Sequence, residues 1–149
     1  MDTKGGFYIT QIKQLQDRIF ERLLQQNGIE LSGGQGRILF ILWKKDHLTI
    51  SDISRRTSLA KNTISVVIDG MVHKGIVTRT INPSNRRQTV ISLTEYAKSL
   101  QQAYELVSTQ MNDLFYRNFS PKEQEQFESY LARIINNLIE AEHTDRSTN

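Results

Sequence analysis

The sequence contains no cysteine, and only two of its 149 residues are proline. Without cysteine the chain has no disulfide framework, no thiolate zinc site and no cysteine-based redox switch. It also lacks the run of about 18 apolar residues that a membrane-spanning helix requires. Its first residues lead into an amphipathic stretch rather than the apolar block of a signal peptide. We therefore expect a cytoplasmic protein with no membrane partner.

Side chains that could support catalysis or hold a metal are also few. The three histidines, His47, His73 and His143, are not spaced four residues apart, and no cysteine could supplement them as ligands. No pairing of a nucleophile with a base stands out, and the carboxylates of the terminal segments alternate with Lys and Arg as on exposed helix faces. We expect no enzyme activity, no cofactor and no metal site.

Charge is distributed unevenly along the chain, whose net charge is only +3. Residues 37–98 contain eleven Lys or Arg and four Asp or Glu, a balance of +7. The remaining residues contain eight basic and twelve acidic side chains, a balance of −4. A basic middle segment between acidic ends is suited to a phosphate polymer, although this pattern alone does not distinguish nucleic-acid binding from chance.

Hydrophobic periodicity predicts a single, mainly α-helical domain with one small β-hairpin. A length of 149 residues is enough to bury a core without disulfides or metal. We expect the tail after His143 to be frayed. The predicted helices cover about 7–26, 33–45, 50–56, 61–74, 94–117 and 120–143, and the predicted strands cover 76–81 and 88–93.

The segment Leu31–Gln35 spells the signature loop of ABC-transporter ATPases. An ATPase would also need a phosphate-binding G-x-x-x-x-G-K-[ST] segment, which the sequence lacks. Ser32 followed by Gln35 is instead interpreted as a capping box that begins the second helix.

The order of elements from Thr49 to Leu93 predicts a winged helix-turn-helix: a short helix, a tight turn, an amphipathic helix and a basic hairpin. The amphipathic helix should bury one face and present the other to DNA. Its predicted buried stripe is Ile64, Val67, Ile68, Met71 and Val72. Its outer face carries Lys61, Asn62, Ser65, Val66, Asp69 and His73.

Each residue type on this outer face suits one kind of DNA contact. Asn62 can pair with adenine, Thr63 and Ser65 can bond several bases, the Val66 methyls can pack on a thymine methyl, and Lys61 can bind phosphate. The hairpin tip, residues 82–87, carries two arginines that can enter a narrow minor groove. The candidate DNA-binding residues are therefore Lys61, Asn62, Thr63, Ser65, Val66, Arg86 and Arg87.

These strings together resemble the MarR family of bacterial winged-helix regulators. The resemblance rests on Ile50–Ser54, Lys61–Ser65, Asp69–Val77, Pro83–Arg87 and Val90–Glu95. It implies one MarR-type chain over 1–149, with a DNA-binding lobe at 32–93 and helical dimerisation regions at 7–27 and 94–143. It also implies a pocket for a small, often phenolic or aromatic, anionic effector, whose residues we do not assign. The residues expected to support the dimer are Ile12, Leu15, Ile19, Leu23, Leu131, Ile134, Ile135 and Leu138.

The sequence departs from the family pattern at several positions. Asn82 and Asn85 stand where the family usually has aspartates, so Asn85 can offer Arg87 only a neutral, weaker hydrogen bond. Val66 and Gly70 stand where arginine is common, and Gly70 weakens its helix by about 1 kcal/mol relative to alanine.

The sequence therefore predicts a homodimeric regulator, expected to be a repressor, that binds a pseudo-palindromic DNA site. A small aromatic or anionic ligand is expected to release it from that DNA. Two alternatives remain open at this stage. One is a winged-helix regulator without a small ligand, and the other is a protein-interaction module that does not bind DNA.

Overall fold

The computed structural model describes residues 2–148, which form two compact units divided after Met111. The first unit ends within helix α5, whose last residues belong to the second unit together with α6. The elements follow in the order α1 (Gly5–Gln26), α2 (Gly33–Lys44), β1 (Leu48–Thr49), α3 (Ile50–Thr57), α4 (Lys61–His73), β2 (Val77–Asn82), β3 (Asn85–Leu93), α5 (Glu95–Phe115) and α6 (Pro121–Thr148).

Local capping sets where several helices begin. The predicted capping box at α2 is present, with Ser32 Oγ accepting the Gln35 N–H and Gln35 Oε1 accepting the Ser32 N–H. A second box begins α6, where Ser120 and Glu123 bond in the same reciprocal way. Each box satisfies N–H groups that the first turn of a helix leaves without a backbone partner.

The sheet of the first unit is antiparallel, with strand order β1-β3-β2. The two residues of β1 pair with Ile91 and Val90 of β3, which joins the hairpin to the segment between α2 and α3. Sequence periodicity did not predict β1, because a two-residue strand is too short to show an alternation.

One hydrophobic core fills the first unit and joins α2, α3, α4 and the sheet to one side of α1 and α5. Tyr104 of α5 lies in it, with its hydroxyl donating to the Gly36 carbonyl at 3.0 Å. Burial raises the pKa of Tyr104 to about 12. The side chains with no exposed surface are Leu24, Ile38, Leu39, Leu42, Ile53, Ile64, Ile68, Met71, Ile91, Ala97 and Val107.

In the second unit, Phe115, Tyr116, Phe119 and Phe127 pack their rings against one another, with centroids 4.9–6.4 Å apart. The Tyr116 hydroxyl donates to Glu128 at 2.9 Å. The pKa of Tyr116 is raised, first by partial burial and then by this carboxylate.

Three sequence-based predictions need correction. The segment after His143 is not frayed, since α6 continues to Thr148 and the Arg146–Glu142 ion pair at 3.0 Å supports its last turns. Val72 is not part of the buried stripe, because it is 41% exposed near the end of α4. The hairpin tip is shorter than predicted, since only Pro83 and Ser84 separate the paired strands.

Candidate nucleic-acid interface

The turn between α3 and α4 is fixed by short-range hydrogen bonds. At the start of α3, Thr49 and Asp52 form a capping box, and the Thr49 N–H and hydroxyl hold the pKa of Asp52 below its usual value. At its end, Ser58 has a left-handed φ of +61° and Ser54 Oγ donates to the Leu59 carbonyl at 2.6 Å. The turn therefore sets the angle at which α4 leaves α3.

Helix α4 begins without a side-chain cap, because its N-cap residue is Ala60. The first N–H groups of the helix therefore have no side-chain acceptor, and they carry the positive end of the helix dipole. Lys61 follows at once and is exposed. An anion such as a backbone phosphate suits this end of the helix.

The outer face of α4 is where the sequence placed it. Lys61, Asn62 and Thr63 are exposed, and Val66 is 70% exposed, although it is an apolar side chain. On the opposite face Ile64, Ile68 and Met71 are fully buried. Ser65 differs from the other candidates, because it is half-buried and in contact with the hairpin.

The hairpin of β2 and β3 places Arg86 and Arg87 on the first residues of β3 rather than in a loop. Both are exposed, and among the described residues neither guanidinium is paired with a carboxylate. The Asn85 side chain accepts the backbone N–H of Arg87 at 3.1 Å. It therefore supports the backbone of the turn, whereas the sequence had suggested a contact with the arginine side chain.

A residue that the sequence analysis did not identify connects the hairpin to α4. Arg79 of β2 lies 2.5 Å from the Asp69 carboxylate, and it donates to the Ser65 carbonyl at 3.0 Å. The alternation along β2 was a usable signal, because buried Val77 and Arg79 are two residues apart and so share a face. Sequence alone did not indicate that Asp69 lies opposite.

Asp46, which follows α2, holds the end of β3 through hydrogen bonds. Its Oδ1 atom accepts both the Leu93 N–H at 2.9 Å and the His47 N–H at 2.8 Å. His47 Nδ1 lies 2.7 Å from Ser92 Oγ. Asp46 and His47 thus have a structural role at the base of the hairpin.

The expected dimerisation residues form two partly exposed apolar faces, each described here within its own helix. On α1, Ile12 and Leu15 are 38% and 44% exposed, whereas Ile19 and Leu23 are half-buried. On α6, Leu131 is half-buried and Leu138 is 65% exposed. Ile134 and Ile135 on the same helix are 43% and 53% exposed.

A cavity of about 610 Å³ opens in the first unit beside the C-terminal end of α4. Lys74 contributes to its lining and donates to the Glu30 carbonyl at 3.1 Å and to Gln35 Oε1 at 3.0 Å. The lining residues are Glu21, Gln25, Gly28, Glu30, Leu31, Ser32, Lys74 and Tyr96.

Neither a metal cluster nor a membrane-spanning helix is found among the described residues. Across residues 2–148 no three His, Cys, Asp or Glu side chains converge as metal ligands would. Of the helices in that range, none combines the length and the apolar character needed to cross a membrane.

Comparison with known proteins shows a match over the middle of the chain. Residues 31–89 match the model of the MarR family. The HTH-type transcriptional repressor YetL of Bacillus subtilis (strain 168) is 27% identical over 113 residues, which cover 74% of this chain and 68% of YetL.

Solved structures show the same fold. A MarR transcriptional regulator from Methanosarcina mazei Go1 superposes with a TM-score of 0.80 at 19% identity, covering 91% of this chain and 96% of that one. A mutant MarR from E. coli complexed with operator DNA gives a TM-score of 0.78 at 21% identity, covering 90% of this chain and 99% of that one. The predicted fold class, mainly helical with a small β wing, is confirmed.

Proposed function

We propose that the chain is a transcription regulator of the MarR family, and that it acts in the cytoplasm as a homodimer that binds a pseudo-palindromic DNA operator and represses transcription. Residues 32–93 form the DNA-binding lobe of this proposal, and residues 7–27 and 94–143 form the dimerisation region. Support comes from the polar outer face of α4 and the two arginines of the hairpin, which lie together in the basic segment.

Helix α4 is the major-groove reader in this proposal. Its uncapped N-terminus and Lys61 bind phosphate, while Asn62 and Thr63 bond base edges. The isopropyl group of Val66 packs on a thymine methyl, which explains why an apolar side chain stands 70% exposed on a polar face. The two copies of α4 in a dimer would read half-sites about 34 Å apart.

The hairpin is the minor-groove reader. Arg87, and secondarily Arg86, are exposed and free of carboxylate partners within the described residues, so their positive charge is available to DNA. A narrow A·T-rich minor groove concentrates negative potential and so attracts arginine.

Homodimerisation is proposed from the apolar faces of α1 and α6. Contiguous exposed apolar surface on a protein marks an interaction site. Ile135 and Leu138, both more than half exposed, lie one turn apart on the same side of α6. A second copy of the same helices would cover such a face by isologous contact.

The observation that carries the DNA-binding proposal is the pair of hairpin arginines, which no carboxylate of the described residues neutralises, beside the exposed face of α4. The test is a fluorescence-anisotropy titration on a duplex enriched by the wild-type chain from random-sequence DNA, at several salt concentrations. Affinity should fall steeply with salt, and Arg87→Ala should reduce the slope by about one unit. Absence of binding in dilute buffer would instead support a protein-interaction module.

We place the effector site in the cavity beside α4. Lys74 supplies a positive charge and Tyr96 an aromatic ring, which suits a singly charged aromatic acid. The Glu21 and Glu30 carboxylates in the same lining disfavour ligands of higher negative charge. A ligand carboxylate that drew Lys74 away from Glu30 and Gln35 would disturb the end of α4 and so release DNA.

Thermal-shift and DNA-release measurements with salicylate test this effector site. Salicylate should stabilise the wild type and make it release DNA. The Lys74→Ala variant should show neither effect. The control variant Lys98→Ala, which removes an exposed lysine of α5, should respond as the wild type does. A wild type that salicylate neither stabilises nor releases would favour a regulator without a small ligand.

A further inference from the structure

Arg79 belongs to the hairpin, which is one of the two proposed DNA-reading elements, and its side chain contacts the other one, helix α4. Its Nη1 atom lies 2.5 Å from Asp69 Oδ1, and its Nη2 atom lies 3.0 Å from the Ser65 carbonyl and 3.5 Å from Ser65 Oγ. Ser65 and Asp69 are one turn apart on α4, so the planar guanidinium spans two successive turns of the helix.

Among the described residues, Arg79 makes the polar side-chain contact with α4 that lies nearest the turn of the hairpin. Arg79 pairs across the sheet with Ile91, and the turn at Pro83 and Ser84 follows a few residues later. Among the described residues, no side-chain hydrogen bond or ion pair joins α4 to the hairpin beyond Arg79. At about 3.3 Å per residue the arginines of the hairpin project roughly 10 Å or more past this last tie.

Charge pairing decides what Arg79 can do at a DNA surface. Asp69 is 63% exposed on the outer face of α4, where an unpaired carboxylate would repel phosphates. Because Arg79 neutralises this carboxylate, the pair presents no net charge. The guanidinium is thereby committed to protein contacts.

We propose that Arg79 is a positioning residue, which holds the wing at a fixed angle to α4 so that both grooves are read in one register. The inference rests on the proposed DNA-binding function and deepens it. The carbonyl and the hydroxyl of Ser65 both accept hydrogen bonds from the Arg79 guanidinium. Ser65 therefore holds the wing in this proposal and does not contact a base.

The Arg79–Asp69 ion pair is partly exposed, so its loss should affect the position of the hairpin much more than the stability of the fold. Partly exposed ion pairs contribute little to stability, whereas placing a reading element wrongly by about 1 Å is costly for recognition. Removing the brace should therefore weaken DNA binding and leave the melting temperature nearly unchanged.

The decisive variant is Asp69→Ala/Arg79→Ala, which removes the brace and keeps the net charge. On the duplex enriched by the wild type, it should bind at least about tenfold more weakly, with an unchanged salt slope. Protection of guanine N7 from methylation should report that the major-groove contacts of α4 are retained, whereas hydroxyl-radical footprints should show that the minor-groove protection by the wing is lost. Arg79→Lys should also bind weakly, because an ammonium cannot reproduce the two-sided fork.

Two controls frame the result. Arg87→Ala should lower the salt slope by about one unit, and Lys98→Ala/Glu95→Ala, which removes an exposed ion pair of α5, should bind normally. The melting temperature of the double variant should stay within about 3 °C of the wild type.

Three outcomes would overturn the proposal. Wild-type affinity in the double variant would mean that Arg79 only shields Asp69. A salt slope reduced by one unit in the double variant, with Arg79→Lys intact, would mean that Arg79 binds phosphate directly. A wild type that enriches no duplex would overturn the DNA-binding function itself, which is distinguishable from either failure of the brace.

Discussion

Helices α4 and α6 carry similar apolar stripes, but the two stripes have opposite surroundings. Ile64, Ile68 and Met71 of α4 have no exposed surface, whereas Ile135 and Leu138 of α6 are more than half exposed. Both patterns follow the three- and four-residue spacing of an amphipathic helix. The spacing identifies which face of a helix is apolar, and the covering of that face depends on other parts of the fold or on another molecule.

The difference suggests two kinds of stability in one chain. The stripe of α4 belongs to a core within its own unit, so its contribution should not depend on protein concentration. The stripe of α6 would be covered in the proposed dimer, so its contribution should depend on concentration.

The largest expected effect is in the core of the lobe. Ile68→Ala should lower the free energy of unfolding by about 2–5 kcal/mol, because it leaves a cavity among fully buried side chains. Urea unfolding at one fixed concentration measures the loss, and Val66→Ala on the exposed face should change it by no more than about 0.5 kcal/mol. Equal losses for the two variants would contradict the assigned faces of α4.

Close packing between α2 and α5 should give the next largest effect. A Cβ at Gly36 would lie 3.0 Å from the Tyr104 hydroxyl and 3.1 Å from its ring, so Gly36→Ala should cost about 1–3 kcal/mol. Gly34→Ala on the same helix is the matched control, because its Cβ would meet Val67 at an ordinary 3.6 Å. We expect it to be neutral or stabilising, owing to the helix propensity of alanine. The reverse order in thermal melts would be inconsistent with this packing.

The exposed stripe of α6 should matter for self-association. Leu138→Asp should raise the dimer dissociation constant at least about tenfold, since it puts a charge on an apolar face proposed to be buried between copies. Sedimentation equilibrium measures this constant, and Asn136→Asp on the other side of α6 should leave it nearly unchanged. A wild type that stays monomeric at high concentration would rule out the proposed covering of the stripe.

The smallest expected effect is at the cap of α3. Because hydrogen bonds from Thr49 lower the pKa of Asp52, its stabilising contribution is present above the ordinary pKa of 3.8 and is lost as pH falls through the lower folded-state value. Asp52→Asn should therefore be slightly less stable than the wild type at neutral pH, and the difference should vanish in acid below that pKa. Melting curves from neutral to acid pH test this, and a difference that persists in acid would point to lost packing instead.

Most of the fold followed from sequence periodicity and capping. Ser32 begins α2 with the capping box that its local pattern predicted, α3 and α6 begin close to the predicted residues 50 and 120, and the hairpin and the buried face of α4 were also expected. Strand β1 was not, because its two residues pair through a long-range contact that has no local signature. The continuation of α6 past His143 was also missed, since polar residues can extend a helix by ion pairs one turn apart.

The candidate site was predictable in its residue types and less so in their partners. The exposure of Asn62 and Arg87 could be expected from a helix face and a turn. The Arg79–Asp69 pair could not, because it joins a strand to a helix and depends on the angle between them. Ser65 was therefore expected to read bases, and the structure shows it in contact with Arg79.

The amide of Asn85 has a kinetic consequence for the wing. It closes the turn through the Arg87 N–H with an uncharged group, so the turn keeps its shape in acid and in concentrated salt. No carboxylate of the described residues sets the rotamer of the Arg87 side chain. In the proposed complex this side chain would therefore become ordered only on entering the groove, at a cost in conformational entropy. We therefore expect this wing to leave DNA faster than one whose arginine is preset by an aspartate, so that the protein would exchange quickly between operators.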